Sequence, residues 1–162
     1  MKIGILSDTH GNISVVASAV TRFRSVGVDA VFHCGDIGSF DVLSELSALG
    51  VPVHAVLGNV DAYSGDLKFF PANVGVQLHG RFAEVELAGT RIALLHSDDR
   101  RRFSQCVHSG KYDLVLSGHS HEVHDYKEGA TRCINPGTAG RGAPHTCAVL
   151  DLVSGELDII EI

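Results

Sequence analysis

The first third of the chain alternates short apolar runs with amphipathic segments. Three apolar runs predict buried strands, at residues 2–7, 30–34 and 51–57. Between them, over residues 13–26 and 40–49, apolar side chains recur at the spacing of a helix with one buried face. Asn12 is placed to cap the first of these helices. This strand–helix–strand–helix–strand order predicts a parallel sheet with right-handed crossovers.

The second half of the chain predicts antiparallel strands. Pairs of strand-like segments flank short turns that contain glycine, at Ala88-Gly89, Glu128-Gly129 and Ser154-Gly155. Residues 101–109 predict a short helix, and residues 114–116 predict a further apolar strand. The two halves together predict an α/β fold in one domain over residues 1–162. We expect a four-layer sandwich of two mixed β-sheets flanked by α-helices.

Composition limits the partners that this chain is expected to bind. It has 162 residues, of which 44% are hydrophobic and 20% charged, as in a globular domain. Its formal net charge of −6 gives no general attraction for the backbone of nucleic acid, so no specific nucleic-acid partner is expected. A phosphate-binding site in such a protein needs local positive charge, which bound metal ions would supply.

Cysteine usage and hydropathy predict a cytoplasmic protein. No two cysteines stand in a CxxC motif, and we expect them to be free thiols in a reducing compartment, with one disulfide as the alternative. No signal segment is recognised, and no apolar run is long enough to span a bilayer. A membrane partner is therefore not expected.

Residues that can bind metal ions follow five of the predicted strands. These residues are Asp8, His10, Asp36, Asn59, His96, His119 and His121. Because ligands gather at the carboxyl ends of strands in α/β sheets, we expect the side chains to meet at one rim. Their mixture of nitrogen and oxygen donors suits manganese, iron, cobalt, nickel or zinc better than calcium.

The local spacing indicates how some of these side chains would reach an ion. In Asp8-Thr9-His10, residues two apart on an extended segment point the same way and can bind one cation. The same geometry applies to His119 and His121, although a looping backbone could aim the two rings at different ions. Gly35 and Gly118 each precede such a residue and permit close approach of the backbone.

Each residue also has an ordinary structural alternative when it is taken alone. Asp8 and Asp36 could cap helices, His96 could be a buried polar group with satisfied hydrogen bonds, and Asn59 could be a turn residue. The segment from Gly118 to His121 could be a surface loop. The convergence of all five segments on one rim favours the metal-site interpretation over these alternatives.

The ordered set of motifs resembles the calcineurin-like metallophosphoesterase superfamily, in particular its small single-domain bacterial and archaeal phosphodiesterases. The matching motifs are Asp8-x-His10, Gly35-Asp36, Gly58-Asn59-x-Asp61, His96, Gly118-His119-Ser120-His121 and Asn135-Pro136-Gly137-Thr138. The resemblance covers residues 2–138 and agrees with the fold expected from the elements.

The resemblance implies two divalent metal ions, manganese first and otherwise iron, zinc, nickel or cobalt. One ion would be held by Asp8, His10 and His121, the other by Asn59, His96 and His119, with Asp36 bridging the two. It also implies that a hydroxide bridging the two metals hydrolyses a phosphate ester, with Asp36, Asn59 and His96 as the catalytic residues. Asp61 is expected to orient a ligand histidine or to cap a turn.

Departures from the family pattern concern the substrate. Val60 stands where many members carry a histidine that assists the leaving group. We therefore expect a preference for good leaving groups, or another proton donor such as His124 or Asp98. Asp98 could otherwise orient a ligand or cap the next helix. Arg100 is expected to contact substrate phosphate, with a solvated helix face as the alternative.

The expected substrate is a small phosphate ester, and a diester before a monoester, because no cluster of positive residues matches a terminal dianion. The Lys68-Phe69-Phe70-Pro71 segment predicts a lid or a homo-oligomer contact, with local packing as the alternative. The competing function is a non-catalytic protein-binding scaffold, since a scaffold subunit of the retromer coat is also a relative. A two-metal hydrolase of amide or acyl bonds is disfavoured by the ordered motifs.

Overall fold

Eleven strands and three α-helices form within residues 1–63, 67 and 75–162, which are the residues that the computed structural model describes. The strands are β1 (Lys2–Leu6), β2 (Ala30–His33), β3 (Val53–Ala55), β4 (Val76–Leu78), β5 (Phe82–Leu87), β6 (Thr90–Leu95), β7 (Leu114–Leu116), β8 (Val123–Glu128), β9 (Thr131–Pro136), β10 (Thr146–Asp151) and β11 (Leu157–Glu161). The helices are α1 (Ile13–Val26), α2 (Phe40–Ser47) and α3 (Arg100–His108).

The first sheet has the order β11-β10-β1-β2-β3-β4. Strands β1 to β4 run parallel, and β10 and β11 add an antiparallel edge. The parallel half confirms the prediction from the first third of the sequence. Strand β4 was not predicted, because its three residues, Val76–Leu78, are too few to show a period.

The second sheet has the order β5-β6-β7-β9-β8. Its two hairpins, β5–β6 and β8–β9, are those predicted from the glycine-containing turns. Parallel pairing of β6 with β7 and of β7 with β9 joins the hairpins into one mixed sheet. Both sheets are therefore mixed, as expected.

Three apolar layers separate the four layers of secondary structure. Val16 and Phe23 of α1 are fully buried with apolar side chains of α2 and the first sheet. Side chains such as Phe32 and Leu94 fill the space between the sheets, and Val107 of α3 packs on the outer face of the second sheet. Burial of each large apolar side chain contributes about 1.5–3 kcal/mol. The predicted four-layer sandwich is confirmed.

Helix ends depend on local hydrogen bonds. Asn12 caps α1, accepting a bond from the Val15 N–H, as predicted. Helix α2 ends at Ser47, two residues before the predicted end, where a tighter turn bonds the Leu49 N–H to the Leu46 carbonyl. Asp99 caps α3 by accepting from the Arg102 N–H.

The cysteines and helices agree with two further expectations. All four cysteines lie in the described segments and are buried free thiols. None of the described helices combines the length and the apolar character needed to cross a membrane. The segment 68–71, for which a lid or oligomer contact was predicted, lies outside the described residues.

Candidate metal centre

Loops at the carboxyl ends of β1, β2, β3, β6 and β7 meet at one rim of the two sheets. There they form two groups of side chains whose ligand atoms lie within 4.8 Å of one another. One group is Asp8, His10 and His121, and the other is Asp8, Asp36 and His96. The expected convergence at the strand ends is therefore present.

Asp8 belongs to both groups. Its Oδ1 lies 3.2 Å from Nε2 of His121 in the first group and 3.8 Å from Nε2 of His96 in the second. In the first group, Nε2 of His10 also lies 3.4 Å from Nε2 of His121. Two donor sets thus share one buried carboxylate.

Asp36 also faces both groups, through different oxygens. Its Oδ1 lies 3.3 Å from Nε2 of His96, and its Oδ2 lies 3.9 Å from Nε2 of His10. The Val60 N–H donates a hydrogen bond of 3.1 Å to Oδ1 and fixes the carboxylate plane. This position between the groups is the one that a bridging ligand requires.

The two remaining residues of the predicted set, His119 and Asn59, belong to neither group. The ring of His119 is steeply inclined to that of His96, with 5.1 Å between centroids, and its backbone N–H donates to Oδ2 of Asp8. The rings of His119 and His121 therefore face different groups, the alternative left open for a looping backbone. Asn59 is exposed in the turn after β3.

Two buried atoms at the centre of the site lack a hydrogen-bond partner within the described part of the chain: Oδ1 of Asp8 and Nε2 of His96. Nδ1 of His96 must donate to the Cys34 carbonyl, 2.9 Å away, which in the neutral ring leaves a lone pair on Nε2. That lone pair faces carboxylate oxygens, an arrangement that is unfavourable unless a positive charge lies between them. The donor set therefore fits a bound cation.

Burial and charge shift the pKa values of three of these side chains. Burial would lower the pKa of His96, but the nearby carboxylates of Asp36 and Asp8 outweigh it and raise that pKa. Burial would raise the pKa of Asp36, but the combined effects of His96, the Val60 N–H and His10 outweigh it and lower that pKa. The pKa of His10 is lowered, chiefly by burial. The carboxylates thus favour positive charge at the centre, which a divalent cation can supply.

Five residues of the predicted set adopt left-handed backbone conformations. Their φ angles are 54° at Asp8, 47° at His10, 53° at Asp36, 76° at His119 and 61° at His121. The interpretation of Asp8-Thr9-His10 as an extended segment is therefore wrong, although the two side chains do meet. Such conformations cost about 1–3 kcal/mol each and cluster at functional sites.

Backbone hydrogen bonds hold the loops that follow β1 and β2 in this conformation. The N–H groups of Asp8, His10 and Gly11 donate to the carbonyls of Gly35, Asp36 and Ile37, at 2.9 to 3.0 Å. Since these bonds join loops far apart in sequence, the tertiary structure imposes the strained backbone.

Three glycines permit close packing around the ligand side chains. A Cβ at Gly35 would lie 2.8 Å from Nδ1 of His96, and one at Gly118 would lie 2.7 Å from Oδ2 of Asp8. A Cβ at Gly58 would overlap Oδ1 of Asp36. The predicted close approach at Gly35 and Gly118 is confirmed, and Gly58 has the same role.

His33 supports the site, although its spacing in the sequence gave no indication of a role. Its Nδ1 accepts from the Gly35 N–H, so Nε2 donates to Oγ1 of Thr9, 2.9 Å away. The Thr9 hydroxyl then donates to the Ile37 carbonyl. Burial lowers the pKa of His33 to about 4, which keeps the ring neutral. This chain of bonds joins the loops after β1 and β2.

Asp61 caps a turn, one of the two roles expected for it. It is buried and accepts hydrogen bonds of 2.8 to 3.0 Å from the N–H groups of Ile37, Gly38 and Gly58. These residues flank Asp36 and Asn59, so the carboxylate of Asp61 fixes both loops.

Replacing Asp61 with asparagine is expected to loosen the site without removing a ligand. The amide nitrogen would face a backbone N–H, and a buried donor left unsatisfied costs about 1–3 kcal/mol. We expect Mn²⁺ affinity to fall about 10–100-fold, as for other residues that orient a ligand, measured by calorimetry beside urea unfolding. Asp29→Asn, at an exposed carboxylate that accepts from the Lys2 N–H, is the control; equal effects would contradict this role.

The Asn135-Pro136-Gly137-Thr138 motif also braces the rim. The Asn135 amide donates to the Gly118 carbonyl, 3.0 Å away, and to Oγ of Ser120, 3.1 Å away. The Thr138 hydroxyl donates to the Asp8 carbonyl at 3.2 Å. The motif thus fixes the segments that carry Asp8, His119 and His121.

The two residues predicted to contact substrate, Arg100 and His124, are exposed. Arg100 is exposed in the first turn of α3. His124 is exposed on β8, with Nε2 3.6 Å from Oε2 of Glu122. Asp98 forms an ion pair with Arg81, and the cap of α3 is Asp99, so the prediction that Asp98 caps this helix is wrong. His124 does not belong to either group of ligand atoms.

Known proteins resemble this chain over most of its length. The family model of the calcineurin-like phosphoesterase superfamily domain matches residues 1–155. A phosphodiesterase of Methanocaldococcus jannaschii is 32% identical over 138 residues, covering 85% of this chain and 83% of that protein. The solved structure of an archaeal phosphodiesterase matches with a TM-score of 0.91 at 30% identity and covers 100% of both chains.

A more distant match concerns the fold alone. Vps29 of Entamoeba histolytica has a TM-score of 0.72 at 17% identity, covering 100% of this chain and 98% of that one. The family match, the relative from Methanocaldococcus jannaschii and the solved archaeal structure agree with the motif order and with the rim at the strand ends. On these grounds this chain belongs to the calcineurin-like phosphoesterase superfamily.

Proposed function

We propose that this protein is a metal-dependent phosphodiesterase with two divalent ions, manganese in preference to iron, zinc, nickel or cobalt. The observation that carries the proposal is the pair of buried atoms without partners among the described residues, Oδ1 of Asp8 and Nε2 of His96, inside two donor groups that share Asp8. The named activity of the relative at 32% identity supports ester hydrolysis.

The proposed division of ligands extends the two groups of ligand atoms. His10 and His121 would hold one ion with Asp8, while His96 would hold the other with His119 and Asn59, which belong to neither group. Asp36 would contact both ions. When bound, the ions supply a water of lowered pKa and positive charge for the phosphoryl oxygens. The protein keeps each donor in place: the Cys34 carbonyl holds the His96 ring, and the Val60 N–H holds Asp36.

The substrate that we propose is a small phosphodiester. The net charge of −6 disfavours nucleic acid as a general partner. Val60, half-buried beside Asp36, offers no proton to a leaving group. We therefore propose a preference for esters whose leaving group departs without general-acid assistance.

The experiment is a metal-dependent assay on the purified protein. We expect bis(p-nitrophenyl) phosphate to be hydrolysed with a higher kcat/KM than p-nitrophenyl phosphate when Mn²⁺ is added. A chelator should abolish both activities and Mn²⁺ should restore them. His108→Ala, at an exposed histidine at the end of α3, is the control and should leave the rates unchanged.

Two outcomes would contradict the proposal. Full Mn²⁺ occupancy without hydrolysis of either ester would favour the protein-binding scaffold. Hydrolysis that persists after complete metal removal would point to a mechanism that does not need these donors. A higher kcat/KM for the monoester would contradict only the proposed preference for diesters.

A further inference from the structure

A cavity of ≈ 530 Å³ opens beside His121, at the edge of the candidate metal centre. Its lining includes Thr138, Arg141, Pro144 and Thr146, from β10 and the loop between β9 and β10. This volume lies in the range of about 300–1,000 Å³ that is usual for small-molecule sites. A group bound there would lie next to the ion held by His121.

The backbone of Arg141 is tied to the ligand Asp8 through one residue. The Arg141 N–H donates to Oγ1 of Thr138, 3.3 Å away, and the Thr138 hydroxyl donates to the Asp8 carbonyl. The position of this arginine is therefore set by the same turn that braces the metal centre.

The guanidinium of Arg141 has no ion-pair partner among the described residues. Arg81, Arg91 and Arg132 each pair with an aspartate within 4.0 Å, but no such pair includes Arg141. An exposed cation in an acidic protein thus lies at the entrance to the site.

We propose that Arg141 is a substrate-binding residue, whose guanidinium binds a non-bridging oxygen of the substrate phosphate while the adjoining cavity receives one ester arm. This inference rests on the proposed phosphodiesterase function and deepens it. One guanidinium matches the single negative charge of a diester, and its planar donors suit phosphate oxygens. The cavity lining combines Val123 and Pro144 with Thr146, which suits a small organic group of mixed polarity.

The test measures phosphate binding separately from turnover. Calorimetry gives the Kd of inorganic phosphate for the Mn²⁺-loaded protein and for its Arg141→Gln, Arg141→Lys and Arg22→Gln variants. Arg22→Gln is the matched control, since it removes the same charge from an exposed arginine on α1 that does not line the cavity.

We expect Arg141→Gln to raise the Kd of phosphate about tenfold, equivalent to about 1.4 kcal/mol. Arg141→Lys should recover part of this loss, because the lysine ammonium keeps the positive charge but lacks the planar pair of donors of the guanidinium. Mn²⁺ affinity should be the same in all four proteins, and Arg22→Gln should bind phosphate as the wild type does. The KM for bis(p-nitrophenyl) phosphate should rise with the Kd.

Equal phosphate affinities of Arg141→Gln and Arg22→Gln would overturn the inference. A loss of Mn²⁺ affinity in Arg141→Gln would also overturn it, by showing a structural role. If the wild type binds phosphate through Arg141 but hydrolyses no ester, the proposed function fails and the binding site stands. If the wild type binds no Mn²⁺, the Kd of phosphate is measured on the metal-free proteins. Arg141→Gln should then also bind phosphate about tenfold more weakly than the wild type.

Discussion

Replacing Asp36 with alanine is expected to lower Mn²⁺-dependent diester hydrolysis by more than about 100-fold, beyond the loss typical of residues that only orient a ligand. The two oxygens of Asp36 lie 3.3 Å from Nε2 of His96 and 3.9 Å from Nε2 of His10. Removal of this carboxylate takes negative charge from both donor groups at once. Both Mn²⁺ sites should weaken together, as measured by calorimetry and by kcat/KM.

Asp36→Asn separates the loss of charge from the loss of packing. The amide keeps the volume and can keep an acceptor for the Val60 N–H, yet it presents one neutral oxygen where the carboxylate presents two charged ones. It should therefore retain the fold and still lose Mn²⁺ affinity and activity. Asp41→Asn, at an exposed carboxylate on α2, is the control. Undiminished activity in Asp36→Ala would contradict the shared-site assignment.

Replacing Gly58 with alanine is expected to damage both stability and metal binding, although Gly58 offers no ligand. The new Cβ would overlap Oδ1 and the backbone nitrogen of Asp36 and lie 2.8 Å from its Cγ. The side chain and backbone of Asp36 cannot move away, because Asp36 is buried between two loops joined by hydrogen bonds. We expect a loss of about 1–3 kcal/mol in the free energy of unfolding, as in other overpacked interiors, and at least a roughly tenfold loss of Mn²⁺ affinity.

Gly110→Ala is the control for this substitution. Gly110 has a φ of +66°, and a Cβ added there would meet nothing within 4 Å. Alanine at this position therefore costs only the left-handed strain of about 1–2 kcal/mol. Urea unfolding should show comparable destabilisation of the two variants, but Mn²⁺ titration should distinguish them. Wild-type Mn²⁺ affinity in Gly58→Ala would show that the loop around Asp36 can move without cost.

Much of the fold follows from short-range pattern. Helix α1 lies at the residues predicted from apolar spacing, with its cap at Asn12. The hairpins β5–β6 and β8–β9 follow from glycine-containing turns. Strand β4 has only three residues, and it is specified by pairing with β3 and not by its own pattern.

The convergence of the strand ends was also accessible from sequence, but the geometry of the site was not. Strand ends that carry Asp, Asn and His predict a common rim, because parallel strands end on the same side of a sheet. The sequence could not show that Asp8 is common to both donor groups. Nor could it identify His33, whose bonds to Gly35 and Thr9 depend on how two loops approach each other.

The order of apolar and polar residues by itself determined most of the helices, strands and hairpins, because these depend on neighbours a few positions apart. The positions of the candidate ligands at strand ends also followed from the sequence, because parallel strands end on the same side of a sheet. Tertiary structure alone decided the left-handed backbone at Asp8, His10 and Asp36 and the exposed position of Arg141 beside the cavity. Local preference disfavours that backbone. It forms here because hydrogen bonds between loops more than twenty residues apart outweigh that preference.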